Sequence, residues 1–72
     1  MNLKLTSCDA HRPDKRKIAK TLEDIAGLDG GTAREMTGYL LDGSPIDIEV
    51  IGNTSSAFRA LRKLDIDYEI EE

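Results

Sequence analysis

Three stretches of this chain alternate apolar and polar side chains with the period of two that a half-buried strand needs: LKLTS (3–7), IDIEVI (46–51) and IDYEIE (66–71). Between them the apolar residues recur at helical spacing. Ile18, Leu22, Ile25 and Ala26 form one stripe, Ala33, Met36, Leu40 and Leu41 a second, and Ala57, Ala60, Leu61 and Leu64 a third. The predicted element order is β-α-α-β-α-β.

Turn and cap residues punctuate that order. CDAHRP (8–13) reads as a loop, after which Pro13 or Asp14 opens the first helix and Gly27 ends it. Thr32-x-x-Glu35 has the spacing of a capping box and predicts a second helix starting at Thr32. Gly43 and Pro45 close that helix, and Asn53 or Thr54 starts the third.

Chain direction then restricts the topology. If strand one runs up, the helical hairpin runs down and up, so the second strand runs down. The third helix returns the chain so that the last strand also runs down, antiparallel to the first. Strand one is therefore central, with a right-handed crossover joining the outer strands. The expected fold is a two-layer α+β domain, a three-stranded antiparallel sheet with three helices on one face. Ile18, Leu22, Met36, Leu40, Val50, Leu61 and Ile70 are expected inside. The other face shows Lys4, Thr6, Asp47, Glu49, Asp67 and Glu69 to water.

The length of 72 residues fits one domain, residues 1–72, with a modest core. With no Trp, one Phe and two Tyr, aliphatic side chains must fill it. A single Cys cannot form an internal disulfide and suits a reducing compartment. No apolar run reaches the ~18 residues of a membrane span, and the first residues lack a signal-peptide layout. A soluble cytoplasmic domain without membrane contact is expected.

Charge is distributed unevenly. The formal net charge is −4, which argues against non-specific nucleic-acid binding. Residues 1–20 nevertheless carry a net +4, and residues 65–72 carry five acids and no base. The acids of DIDYEIEE (65–72) follow from strand alternation. The basic run HRPDKRKIAK (11–20) is the better functional candidate. At ~100° per residue, Lys15, Ala19, Glu23, Arg16 and Lys20 span the arc from the edge of the buried stripe to the outer face of the first helix.

Other motifs carry less. Cys8-x-x-His11 supplies two of the four ligands a structural zinc wants, and no second Cys or His is present, so no metal is expected. No positioned base or oxyanion site accompanies Cys8, so a nucleophile is not expected either. GLDGG (27–31) lacks the spacing of a phosphate loop and reads as a turn.

The element order, together with IAKTLEDIAGLDGGTAREM (18–36), resembles the C-terminal domain of the bacterial ribosomal stalk protein. The likeness covers nearly all of the chain in element order and includes a basic amphipathic helix, a Gly-Leu turn and an alanine at position 33. The family's N-terminal dimerisation segment and Ala-rich hinge are not in these residues. A protease adaptor that recognises N-terminal residues has a similar fold, but its Asn-Asp-Asp loop and Pro-Met helix start have no counterpart here.

In the stalk family the outer arc of the first helix and the start of the second bind the GTPase domains of translation factors. The resemblance implies that Lys15, Lys20 and Arg34 occupy basic positions of that surface. Arg16, Ala19 and Gly30 stand where the family has larger apolar contacts, and Glu23 stands in place of an arginine. The expected function is a non-enzymatic protein–protein interaction module that needs no cofactor. Its partner presents an acidic patch, in a ribosome- or translation-associated setting or as a phage or host regulator. The contact residues are Lys15, Arg16, Ala19, Lys20, Glu23 and Arg34. The alternative is a peptide-binding adaptor using the loop after strand one, with Asp9 and His11 as polar contacts.

Overall fold

The computed structural model describes residues 1–71; Glu72, the last residue of the expected domain, lies outside them. The order is β1 (Asn2–Cys8), α1 (Lys15–Ala26), α2 (Gly30–Leu41), β2 (Ile46–Glu49), α3 (Thr54–Lys63) and β3 (Ile66–Glu71). The sheet order is β2-β1-β3, and both outer strands run antiparallel to β1. The α+β architecture predicted from chain direction is thus the one observed.

Register explains which face is apolar. Leu3 lies opposite Ile48 and Ile70, and Leu5 opposite Ile46 and Tyr68, so these side chains share the face beneath the helices. Lys4 lies opposite Asp47 and Glu69, and Asn2 opposite Glu49 and Glu71, on the open face. A β-bulge between Leu5 and Ser7 shifts the β1–β3 register, so that Ser7 faces Asp67 and Cys8 faces Ile66.

The helices divide the cover among them. The α2 backbone comes close to β1 and β2, α3 to β3, and α1 to both other helices. Ile18, Leu22 and Ile25 of α1, Leu40 of α2 and Leu61 of α3 are buried with the sheet residues in one core. Phe58 stacks on Tyr68 with ring centroids 5.1 Å apart and ties α3 to β3.

Two expected core positions differ. Ile70 faces the helical side yet is 53% exposed. It sits near the end of an edge strand, and the first turn of α3, Thr54-Ser55-Ser56, has no large side chain to cover it. Met36 is only half-buried, and the centre of the α2 stripe is Ala33, Thr37 and Leu40. Thr37 can occupy the core because its hydroxyl donates to the Ala33 carbonyl at 2.7 Å, which satisfies the polar group inside its own helix.

Backbone bonds fasten both ends of the sheet. The Val50 N–H donates to the Met1 carbonyl at 2.8 Å and the Ile51 N–H to the Ile25 carbonyl at 2.8 Å, joining the exit of β2 to β1 and α1. At the other end the Asp9 N–H donates to the Asp65 carbonyl at 2.8 Å. Asp14 caps α1 by accepting from the Arg16 and Lys17 N–H groups, and Asn53 caps α3 by accepting from Ser56 N–H.

Gly27 turns the hairpin. It ends α1 in the left-handed region, at φ 65°, with its N–H on the Glu23 carbonyl. A Cβ there would lie 2.7 Å from the Ile51 δ-methyl. Ile51 is exposed and its side chain can shift, so the backbone conformation sets most of the cost of substitution. Gly27→Ala is expected to cost roughly 1–2 kcal/mol, read as a lower urea midpoint at unchanged slope. An unchanged midpoint would show that this turn tolerates a side chain.

Candidate functional site

The first helix is amphipathic and capped, so its cations stand at fixed places around its axis. Lys15, Arg16, Lys17 and Lys20 are exposed, but they divide between two grooves. Lys15 and Arg16 meet Arg34 and Thr37 of α2 in a groove of about 160 Å³ between the hairpin helices. Lys20 turns the other way. It joins Lys17, Thr21 and Asp24 of α1 with Ala60 and Lys63 of α3 around a larger groove of about 320 Å³. The single basic arc expected from the helical wheel is thus two surfaces separated by the crest of α1.

The groove between α1 and α2 is the more uniform in charge. Its lining has three cations, no carboxylate, and the buried Thr37 at its floor. The Arg34 Nε–H donates to the Gly30 carbonyl at 3.3 Å, which tethers the exposed guanidinium to its own helix at that nitrogen. The α1–α3 groove mixes Asp24 with its lysines.

Ala19 is a correction to the expected contact set. It is 5% exposed and belongs to the core, so it offers nothing to a partner. Lys17, Lys63 and Thr37 line the grooves without having been singled out in the sequence. Lys17 carried the same basic signal as its neighbours, whereas Lys63 required the position of α3.

Glu23 lines neither groove. A Cβ on Gly30 would come 3.4 Å from Glu23 Oε1, which places this carboxylate over the first residue of α2. A negative charge is favourable at the positive end of a helix, which accounts for an acid at that position. The small Gly30 leaves room for it.

The start of α2 also differs from expectation. The N-cap is Asp29 rather than Thr32, and the helix begins at Gly30. The Asp29 carboxylate accepts from the Thr32 N–H at 3.3 Å. Glu35 does not reach back to close a capping box; it accepts from the Tyr39 hydroxyl at 3.0 Å. An ionised carboxylate beside free N–H groups is a better cap than a hydroxyl, so the earlier residue prevails.

The loop after β1 does not bring Asp9 and His11 to one wall. His11 lines a hollow with Arg12, Lys17, Lys63 and Asp65 near the start of α1. The Asp9 carboxyl neighbours that of Asp67, toward the open face of the sheet, where the Ser7 hydroxyl donates to Asp67 at 3.1 Å. The Cys8 thiol donates to the Leu64 carbonyl at 3.5 Å, a contact that seats the strand end. Among the described residues no group of three or more His, Cys, Asp or Glu side chains is placed to hold a metal ion. Among the described residues no helix is long and apolar enough to cross a membrane.

No protein family, curated protein or solved structure matches this chain.

Two carboxylates provide opposite pH signatures. Hydrogen bonds from Thr32 hold Asp29 below its ordinary value of 3.8. Its stabilising effect is complete above the unfolded-state value and is lost as pH falls through the folded-state one. Asp29→Asn is therefore expected to lower the melting temperature at pH 7, with the gap closing in acid. The Asp67 hydrogen bond and charge raise Asp9 above 3.8. Ionising it disfavours the folded state, so stability is lost as pH rises through the raised value. Asp9→Asn is expected to melt higher than the parent at pH 7, with the advantage shrinking toward pH 3. Thermal melts across pH 2.5–7 check both, and parallel curves for parent and variants would contradict these assignments.

Proposed function

We propose that this chain is a non-enzymatic protein-interaction module whose hairpin groove binds an acidic protein surface. One observation carries the reading: Lys15, Arg16 and Arg34, from two helices, converge on one small groove whose lining has no carboxylate. Two of the three are arginines, whose planar donors match a carboxylate bidentately and are frequent in the centres of interfaces. The resemblance of the sequence and its element order to the ribosomal stalk C-terminal domain supports a translation-associated partner, and a translational GTPase domain is the first one to test.

The reading rests on a smaller contact set than the sequence suggested. Lys15, Arg16 and Arg34 form its centre, Lys20 contributes from the neighbouring groove, and Ala19 drops out. Exposed cations of this kind act largely by steering encounter, so association slows as ionic strength rises.

The test compares the native chain with Lys15→Glu/Arg16→Glu/Arg34→Glu as baits for host proteins, with Arg59→Glu/Arg62→Glu, exposed on α3 and outside both grooves, as control. A partner retained by the native chain should bind the triple variant tenfold or more weakly, or ~1.4 kcal/mol, and the control nearly as well as the native chain. Each variant should melt within about 0.5 kcal/mol of the parent, because the altered positions are solvated. Equal affinity for native chain and triple variant would remove the groove from any function.

A further inference from the structure

The β3 edge of the sheet presents a second surface, of opposite charge. β3 is bonded to β1 on one side, and among the described residues no strand lies beyond it. Its outer backbone N–H and C=O groups therefore form a template for one more strand. The two faces of that template differ chemically. On the open face stand Asp67, Glu69 and Glu71, all exposed. On the helical face stand half-buried Tyr68, stacked on Phe58, and Ile70 with half its surface in water.

We propose that β3 accepts an extended, basic segment of a partner protein by strand addition, one in which Lys or Arg alternates with aliphatic residues. Main-chain bonds supply the affinity, and the alternation supplies the specificity. The basic side chains of such a segment lie beside Asp67, Glu69 and Glu71, and its aliphatic ones lie against Ile70 and the Phe58–Tyr68 pair. The open face reinforces this preference, since Asp47 and Glu49 of β2 add two carboxylates and Lys4 is the one lysine of β1.

Charge selects this occupant over a second copy of the chain. Two β3 strands paired antiparallel would set carboxylates against carboxylates, and like charges directly opposite are destabilising. The crowding is already present within one molecule, where the neighbouring Asp67 carboxyl holds Asp9 above the usual carboxylate range. The other edge is a weaker template, because β2 has four residues against six in β3. This inference is independent of the hairpin groove, which lies on the helical layer.

The experiment titrates the ¹⁵N-labelled full chain with a blocked synthetic octapeptide of alternating Lys and Val. A second peptide has the same composition with its lysines and valines in separate blocks. The alternating peptide should shift the amides of residues 66–71 and slow their hydrogen exchange, and the block peptide should bind roughly fivefold or more weakly. Glu69→Gln/Glu71→Gln should weaken the alternating peptide by roughly fivefold, and added salt should do the same. If that variant fails to fold, the two peptides on the native chain decide alone. Equal binding of the two peptides, shifts without exchange protection in β3, or no binding of the alternating peptide would overturn the proposal.

Discussion

The rest of the fold hangs on the burial of β1. Leu3 and Leu5 are fully buried, and the strand is hydrogen-bonded on both sides. Burying side chains of this kind contributes about 1.5–3 kcal/mol each, a large share of the stability open to so small a core. Holding those two leucines under cover requires helices above β1 and strands on both flanks. The hairpin α1–α2 and the crossover through α3 satisfy both conditions at once. The glycine at position 27 permits the first reversal, and the Asp65 backbone in the left-handed region permits the last.

Packing around β1 also sorts charge. The basic first third of the chain enters the helical layer through α1, and the acidic last residues enter the sheet through β3. A sequence that is basic at one end and acidic at the other thereby becomes a domain with a cationic groove on one layer and a carboxylate-rich face on the other. Each surface has its own chemical preference, and both depend on rim-type charges that are sensitive to salt. An acidic net charge consequently says little about what the helical layer binds.

Acids at helix starts perform a structural task that competes with the functional reading. Asp14 and Asp29 satisfy orphan N–H groups, and Glu23 lies over the beginning of α2. These three carboxylates belong to the helical layer, yet none lines the groove of Lys15, Arg16 and Arg34. That separation leaves the groove cationic although acids are common in the same helices.

The sequence by itself determined the element order, the strand order and the open polar face. Periods of two and near 3.6 report which side of each segment is buried, and short connections allow few directions. It also contained the turn at Gly27 and placed the starts of the first and third helices at Pro13 or Asp14 and at Asn53 or Thr54, because those signals are local. Tertiary structure decided what depends on neighbours distant in the chain. Ile70 has strand periodicity but lies at an edge that α3 does not cover, and Thr37 is polar but enters the core through a bond to its own helix. Asp29 overrode the Thr32 capping box because an ionised cap competes better for the same N–H groups. The basic arc of α1 became two grooves because α2 and α3 pack on its opposite flanks. A helical wheel fixes angles around one axis, and only the neighbouring helices decide which of those angles open onto a shared site.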